Sequence, residues 1–418
     1  MKILIYGLNF WPELTGIGKY TSEMAEWLAG RGHKVEVITT PPYYPMWKVP
    51  QGYTSLFYNK EQWGKVSICR CPLWVPDRPN GFKRVMHLLS FVLSSLPVLV
   101  YMAIAGRPDV IWTVEPAFLG VPGTWLAARL SGARCWLHVQ DFEIDAAFGL
   151  GLLRGRILYK IMSVMERWLM ARFDRISSIS QAMVGKLKER GIGEGKSAPF
   201  SNWVDTALIR PLPREKSLRT EWGIPDDKTV VLYSGNMGKK QGLDLVLQPA
   251  GEFRNSHPGV IFLLVGEGAA RREIAAEAER MGLDNILFKP LQPAAAMPAL
   301  LASGDIHLVL QKRGVADLAM PSKLTGILAA GGAAILTADP GTEMYRAVSE
   351  NNLGYIIEPE SAPALAQALA ELINNREMRD KFRKNARDYA EQYLDKNKIL
   401  AAMEDELKAM PKARDHDR

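Results

Sequence analysis

The chain opens "MKILIYGLNFWPELTGIGKYTSEMAEWLAGRGH" (Met1–His33). An apolar run, "KILIYG" (2–7), passes through a loop containing Gly16 and Gly18 into "YTSEMAEWLAGRG" (20–32). The apolar spacing and closing glycines of that last stretch predict an amphipathic helix. A strand feeding a helix through a glycine-bearing loop is the first half of a βαβ unit. The two glycines either make the turn or let a phosphate approach the backbone at the helix start. On these residues alone both readings stand.

The same alternation continues outward. "KVEVITT" (34–40), "VSICRCP" (66–72), "DVIWTV" (109–114), "RCWLHVQ" (134–140) and "RISSIS" (175–180) read as further strands, and "GVPGTWLAARLSG" (120–132) as a helix. A second series follows the proline-bearing polar stretch "PFSNWVDTALIRPLPREK" (199–216). It comprises "TVVLYSG" (229–235), "VIFLLVGEG" (260–268), "NILFKP" (285–290), "IHLVLQ" (306–311) and "AAILTA" (333–338). Strands alternating with helices imply parallel, doubly wound α/β sheets. The prediction is two Rossmann-like domains facing a cleft, spanning 1–205 and 206–385. The amphipathic stretch 386–418 should form a helix returning to the first domain and a frayed tail. Ligands of such sheets bind beyond the carboxyl ends of the strands.

The 418 residues are 47% hydrophobic and 23% charged, a globular mixture with substantial cores. The net charge of +7 is uneven, +8 over residues 1–205 and −1 over 206–418. The most basic stretch, 154–196, suits an anionic membrane or an acidic substrate. Without zinc-ligand spacing or an aromatic–basic RNA signature, nucleic acid ranks last. Cys69, Cys71 and Cys135 form no disulfide framework and read as reduced thiols. The start carries no signal-peptide pattern, so a cytoplasmic location is expected. Residues 85–106, "VMHLLSFVLSSLPVLVYMAIAG", are uncharged and reach the length of a membrane span. His87, the serines and Pro97 weaken a span, and peripheral membrane contact is expected instead.

Several residues carry potential chemistry. "YSGNMGKKQGLD" (233–244) sets Gly235, Gly238 and Gly242 around Lys239 and Lys240 after a strand, a pattern that suits a diphosphate. "VGEG" (265–268) places Glu267 between glycines at another strand end. In "KRGVADLAMPSKLTGILAAGG" (312–332), Pro321 and Ser322 are expected to start a helix with Ser322 as N-cap. Its free amides and Lys323 would then face an anion. "LHVQDFEID" (137–145) offers His138 and Asp141 at a strand end, for proton transfer or for holding sugar hydroxyls. Glu115 in "TVEPAFLG" (113–120) lies at another. The Asp415–Asp417 pair sits in the tail, away from any cleft, and no metal is expected.

With these motifs in hand, nearly the whole chain resembles the retaining glycosyltransferases of GT-B fold, family 4 type. The resemblance rests on "PELTGIGKY", "LHVQD", "YSGNMGKKQGLD", "VGEG" and "PSKLTGILAAGG". "PPYYP" (41–45) and "QKRGVADLAMPSKLT" (311–325) are narrower, and similar to members that build the exopolysaccharide colanic acid. The resemblance implies transfer from a nucleotide-sugar, here GDP-fucose, to a polyprenyl-diphosphate sugar at the cytoplasmic face of the inner membrane, without a metal. It assigns the donor to the second domain through Gly235, Asn236, Lys239, Lys240, Glu267, Ser322, Lys323 and Leu324, aided by Gly16 and Gly18. It assigns the acceptor to the first domain through Glu115.

The chain departs from the family pattern in two places. Asn236 replaces an arginine, and the usual glutamate pair is missing: Gly326 stands at the second position and Asp317 lies near the first. His138, Asp141 and Asp317 are the expected catalytic residues. A sugar-nucleotide epimerase on the same fold, or a non-catalytic component of polysaccharide assembly, are the competing readings.

Overall fold

The structure, a computed structural model, describes residues 1–13, 16–78, 80–115, 118–149, 155–313 and 320–411. It divides into two compact units, Met1–Ser201 with Leu400–Arg418, and Asn202–Ile399.

The first unit holds β1 (Lys2–Tyr6), β2 (Lys34–Thr39), β3 (Asn59–Trp63), β4 (Val66–Arg70), β5 (Val110–Glu115), β6 (Arg134–Val139), β7 (Arg175–Ser178) and β8 (Ser197–Pro199). They form one sheet in the order β3-β4-β2-β1-β5-β6-β7-β8. All neighbours are parallel except β3, which runs antiparallel to β4 at the edge. The central strands β5 and β6 are buried at every residue, as strands covered on both faces must be. Trp112 and Trp136 stack between them at 4.8 Å. Chain direction across the sheet reverses between β1 and β5, the switch point where such sheets leave a crevice.

The segment expected to contact membrane is the helix Gly81–Gly106, capped by the Asn80 side chain, which accepts from the Lys83 N–H. By length and composition it is apolar enough to cross a membrane. It buries one narrow stripe, His87, Phe91, Ser95, Leu99 and Ala103, spaced four residues apart. That stripe is fastened to β1: the Ser95 and Tyr6 hydroxyls are 2.9 Å apart, and the Phe91 and Tyr6 rings stack at 5.3 Å. The three cysteines are free and buried.

The second unit holds β9 (Thr229–Ser234), β10 (Val260–Val265), β11 (Ile286–Lys289), β12 (Ile306–Val309), β13 (Ala333–Thr337) and β14 (Gly354–Ile357). The order is β11-β10-β9-β12-β13-β14, all parallel, with the switch point between β9 and β12. The closing amphipathic stretch is broken in two. Arg376–Tyr389 ends in a π-helical turn over Ala390–Leu394, and Lys396–Ala409 follows. Asp395, extended between them, accepts from the Thr206 hydroxyl, and Val204 pairs with the backbone on either side of it. Beyond Leu400 the last helix belongs to the first unit. There the buried Glu404 carboxylate lies 2.8 Å from His33 Nε2 and 3.2 Å from the Arg31 guanidinium.

Candidate functional site

Two glycine loops pack backbone to backbone at the carboxyl ends of β9 and β10. Met237 N–H donates to the Glu267 carbonyl at 2.8 Å, and Ala270 N–H to the Met237 carbonyl at 2.9 Å. A Cβ on Gly266 would fall 1.9 Å from the Gly235 oxygen, and one on Gly268 would fall 2.5 Å from the Met237 carbonyl. The glycines of "VGEG" are therefore set by this contact. Their φ values, +146° and +155°, are also ones other residues rarely adopt. Glu267 contributes its carbonyl to the loop while its side chain stays exposed, 3.8 Å from Arg271.

Lys323 comes to the same place from the other side of the switch point. Its ammonium donates to the Tyr233 hydroxyl at 3.0 Å and lies 4.4 Å from the centre of that ring. The Tyr233 hydroxyl in turn donates to the Asn236 carbonyl at 2.6 Å, tying the lysine to the loop. A Cβ on Gly235 would lie 4.0 Å from Lys323 Cε, so the glycine leaves the ammonium's flank open. Burial lowers the Lys323 ammonium to about 8. Among the described residues it has no carboxylate partner. Lys239 and Lys240 stand exposed on the short 3-10 turn Lys239–Gln241, and neither forms an ion pair among the described residues. The Lys240 carbonyl is held by Lys312 N–H at 2.9 Å. The cavity beside this turn measures about 90 Å³, too small for a nucleotide.

The helix start differs from expectation. The N-cap is Pro321, without a side-chain cap, and Ser322 is the exposed first residue of Ser322–Ala329. The Leu324 side chain is fully buried in the core and its N–H donates to the Pro321 carbonyl at 2.9 Å, so neither is open in the structure. Asp317 lies outside the described residues, as does the Asp415–Asp417 pair.

In the first unit the opening loop is organised by a residue the motif reading passed over. The buried Glu13 carboxylate accepts the N–H groups of Tyr43 and Tyr44, both at 2.8 Å, and the Asn9 amide at 2.8 Å. It thus joins "PELTGIG" to "PPYYP". Burial raises its carboxyl above the usual range, against these hydrogen bonds. Gly18 fits under it, since a Cβ there would lie 2.9 Å from Glu13 Cβ. That packing accounts for the glycine, and Gly18 is buried. Gly16 is exposed with φ +55°; a Cβ there would meet nothing within 4 Å, and the position is open to a ligand. The buried Arg70 completes the loop by donating to the carbonyls of Trp11 at 2.6 Å and Thr40 at 2.7 Å.

The residues expected to act in the first unit are mostly enclosed. His138 is 3% exposed, with Nδ1 2.9 Å from the Ser177 hydroxyl and Nε2 3.0 Å from the Gln140 amide. Burial pushes its imidazole down to about 3, so it is neutral and fully partnered, the state of a structural histidine. Glu115 is 0% exposed, and among the described residues neither carboxylate oxygen has a hydrogen-bond partner. Burial, then the nearby Glu166 and Glu143, hold its carboxyl well above the usual range. Its carboxylate is enclosed in the unit and not open to solvent. Asp141 alone is exposed at the end of β6. None of these three lines either of two cavities of this unit, of about 420 and 930 Å³. Among the described residues no cluster of His, Cys, Asp and Glu could hold a metal ion.

Two doubly wound sheets, the second with exposed lysines and glycine loops at its switch point, have the architecture of the GT-B class. Family models agree. Residues 15–203 match the glycosyl transferase 4-like domain, and residues 214–389 match glycosyl transferases group 1. The chain belongs to this glycosyltransferase family. It is 43% identical to the putative colanic acid biosynthesis glycosyl transferase WcaI of Escherichia coli K12, over 96% of this chain and 98% of that one. It is 26% identical to the probable glycosyltransferase WbjE of Pseudomonas aeruginosa, over 64% and 67% of the two chains. In fold it is similar to sucrose-phosphate synthase of Thermosynechococcus elongatus, with a TM-score of 0.73 at 16% identity over 97% and 98% of the chains. Anabaena HepE, solved with UDP-glucose, gives 0.68 at 15% identity over 98% and 100%.

Proposed function

We propose that this glycosyltransferase moves fucose from GDP-fucose to a polyprenyl-diphosphate-linked sugar in the assembly of a colanic-acid-type exopolysaccharide. Transfer proceeds with retention at the sugar carbon, on the cytoplasmic face of the inner membrane, and without a metal ion. The observation that carries the donor reading is Lys323, a half-buried ammonium fixed by Tyr233 and lacking a carboxylate partner among the described residues. A cation taken partly out of water without a counter-charge lowers the cost of bringing an anion beside it. The open glycine backbone and exposed Lys239 and Lys240 suit a diphosphate in the same loop. As the glycosidic bond to the donor phosphate breaks, negative charge grows on the leaving diphosphate. Fixed positive groups already aimed at it stabilise that transition state more than the ground state. In this reading the lysines do the work a metal performs elsewhere.

The likeness to WcaI supports the product class, a colanic-acid-type exopolysaccharide; fucose and the lipid-linked acceptor are our own reading within that class. The test is release of GDP or UDP by purified protein from GDP-fucose, GDP-mannose, UDP-glucose and UDP-galactose, with and without a polyprenyl-diphosphate-glucose acceptor. Acceptor-dependent GDP release from GDP-fucose alone is expected, undiminished by a chelator. Release from a UDP-sugar instead would overturn the donor, and loss of activity with the chelator would overturn the metal-free mechanism.

A further inference from the structure

Three helices pack side by side on one face of the first unit. Leu96 of Gly81–Gly106 presses on Gly123 of Val121–Ser131, where a Cβ would lie 2.9 Å from Leu96 Cδ1. Trp125 of the second meets Trp168 of Arg156–Met170 with ring centres 6.3 Å apart. The outward side of this layer is apolar, and it is most so on the third helix. Ile157 is 78% exposed, Ile161 60% and Trp168 50%, with Val164 and Met165 exposed between them. At 3.6 residues per turn these positions form one stripe. Arg156, Lys160 and Arg167 form a second exposed row about 100° around the helix from the first. The single acid of this helix, Glu166, is turned inward and paired with Arg190, so its outward surface carries positive charge only. Just beyond the helix the Arg172 guanidinium covers the Trp168 ring, 3.2 Å from its centre. Leu126 and Leu130, then Leu93 and Ile104, continue the exposed apolar surface across the other two helices.

We infer that this face, centred on Arg156–Met170, docks on the surface of an anionic lipid bilayer. The apolar row enters the headgroup–acyl boundary and the basic row pairs with anionic headgroups at its rim. So many large apolar side chains exposed on neighbouring helices exceed the scattered ones a soluble monomer leaves in water. A row of cations beside an apolar row, with no acid among them, matches a negatively charged lipid surface. The helix Gly81–Gly106 lies against the bilayer here and does not cross it, because crossing would tear its buried stripe from Tyr6. The inference deepens the proposed function, on which it rests for the presence of a membrane-bound acceptor, by naming the surface that meets the membrane.

Flotation of the full-length protein with vesicles of phosphatidylcholine, or of equal parts phosphatidylcholine and phosphatidylglycerol, tests it. Binding is expected to the anionic vesicles only, and to weaken with salt. Arg156→Glu with Lys160→Glu and Arg167→Glu should reduce that binding about a hundredfold or more, since each cation near such a surface contributes severalfold. Ile157→Ser with Ile161→Ser should weaken it independently. All five positions are exposed, and unchanged thermal unfolding and GDP binding would show the variants folded. Equal binding to neutral vesicles, or full binding by both variants, would overturn the inference. So would concentration-dependent self-association, without lipid, that the same changes abolish. Turnover of GDP-fucose on a lipid-free acceptor by protein that ignores vesicles would sink this surface and leave the transferase standing. Vesicle binding without turnover of any donor would uphold the surface and sink the transferase reading.

Discussion

A Cβ on Gly266 would sit 1.9 Å from the Gly235 carbonyl oxygen, and no rotamer change relieves a clash with backbone. Gly266→Ala should therefore cost about 2–5 kcal/mol, from overpacking and a φ that alanine resists, and abolish GDP binding along with the loop. Gly16→Ala, where only a φ of +55° is at stake, should cost about 1–2 kcal/mol. Urea unfolding of the two variants checks the contrast. Lys323 gives a pH signature. Its ammonium titrates near 8, so in the free protein its charge is lost as pH rises through that value. A bound diphosphate favours the charged form, so GDP affinity should fall as pH rises past 8. Lys323→Arg, charged throughout, should flatten the profile, and Lys323→Met should weaken binding roughly tenfold to hundredfold at neutral pH. A slope unchanged in Lys323→Arg, by titration calorimetry, would remove the lysine from the site. The glycine loops and this lysine were visible in the sequence because their residue types are restrictive. Tyr233 was hidden, since a tyrosine in an apolar strand reads as core, and core it is, with only its hydroxyl reaching the loop. His138 misled for the converse reason: a polar residue at a strand end looks available until its neighbours are seen to enclose it.

At the scale of elements, the strands that periodicity found are, apart from the partly buried edge strand β11, the buried parallel ones. The ones it missed differ from these. The β3 sequence "NKEQW" is polar because it forms an edge, β8 is three residues long, and β14 opens on a glycine. The helix Arg156–Met170 shows how an element of mixed signal is held. Its apolar side faces out, and its inner side is fixed by Glu166, hydrogen-bonded to Arg190, and by Leu169 and Met170. Burial, only partly offset by Arg190, raises the Glu166 carboxyl to about 7. Because the folded chain holds this proton more tightly than the unfolded chain, the contribution to stability is full below the ordinary glutamate range. It is lost as pH rises toward 7, with a slope of at most about 1.4 kcal/mol per pH unit. Glu166→Gln carries no titrating proton there, so the stability difference between variant and wild type should itself change over this interval. A difference independent of pH, followed by chemical denaturation between pH 4.5 and 7.5, would mean Glu166 is ionised throughout.

At the scale of the whole molecule, the first unit is made from two separated pieces of chain, Met1–Ser201 and Leu400–Arg418. The second piece is small but carries specific bonds. Glu404 lies 2.8 Å from both His33 and Lys408, and together with Arg31 they hold its carboxyl down to about 2 against the effect of burial. Arg134, at the start of β6, donates to the Leu407 and Met410 carbonyls, at 3.1 and 2.5 Å. Arg175, at the start of β7, pairs with Glu406 at 2.7 Å. Leu400, Met403 and Leu407 are buried. The last helix therefore fastens the starts of β6 and β7 and the turn before β2. Ending the chain after Ile399 should leave Arg134 and His33 with unmet partners and strip three apolar side chains from the core. Hydrogen exchange should then quicken across β6 and β7, while the amides of β9, β10, β12 and β13 keep their protection. The milder Glu404→Gln should cost the first unit about 1.5–3 kcal/mol at neutral pH. Its deficit should shrink as pH falls toward 2, because the wild-type carboxylate is by then losing the charge that its partners hold. If truncation loosened both sheets equally, the two units would be one cooperative body and the division of the chain at Leu400 would carry no energetic meaning.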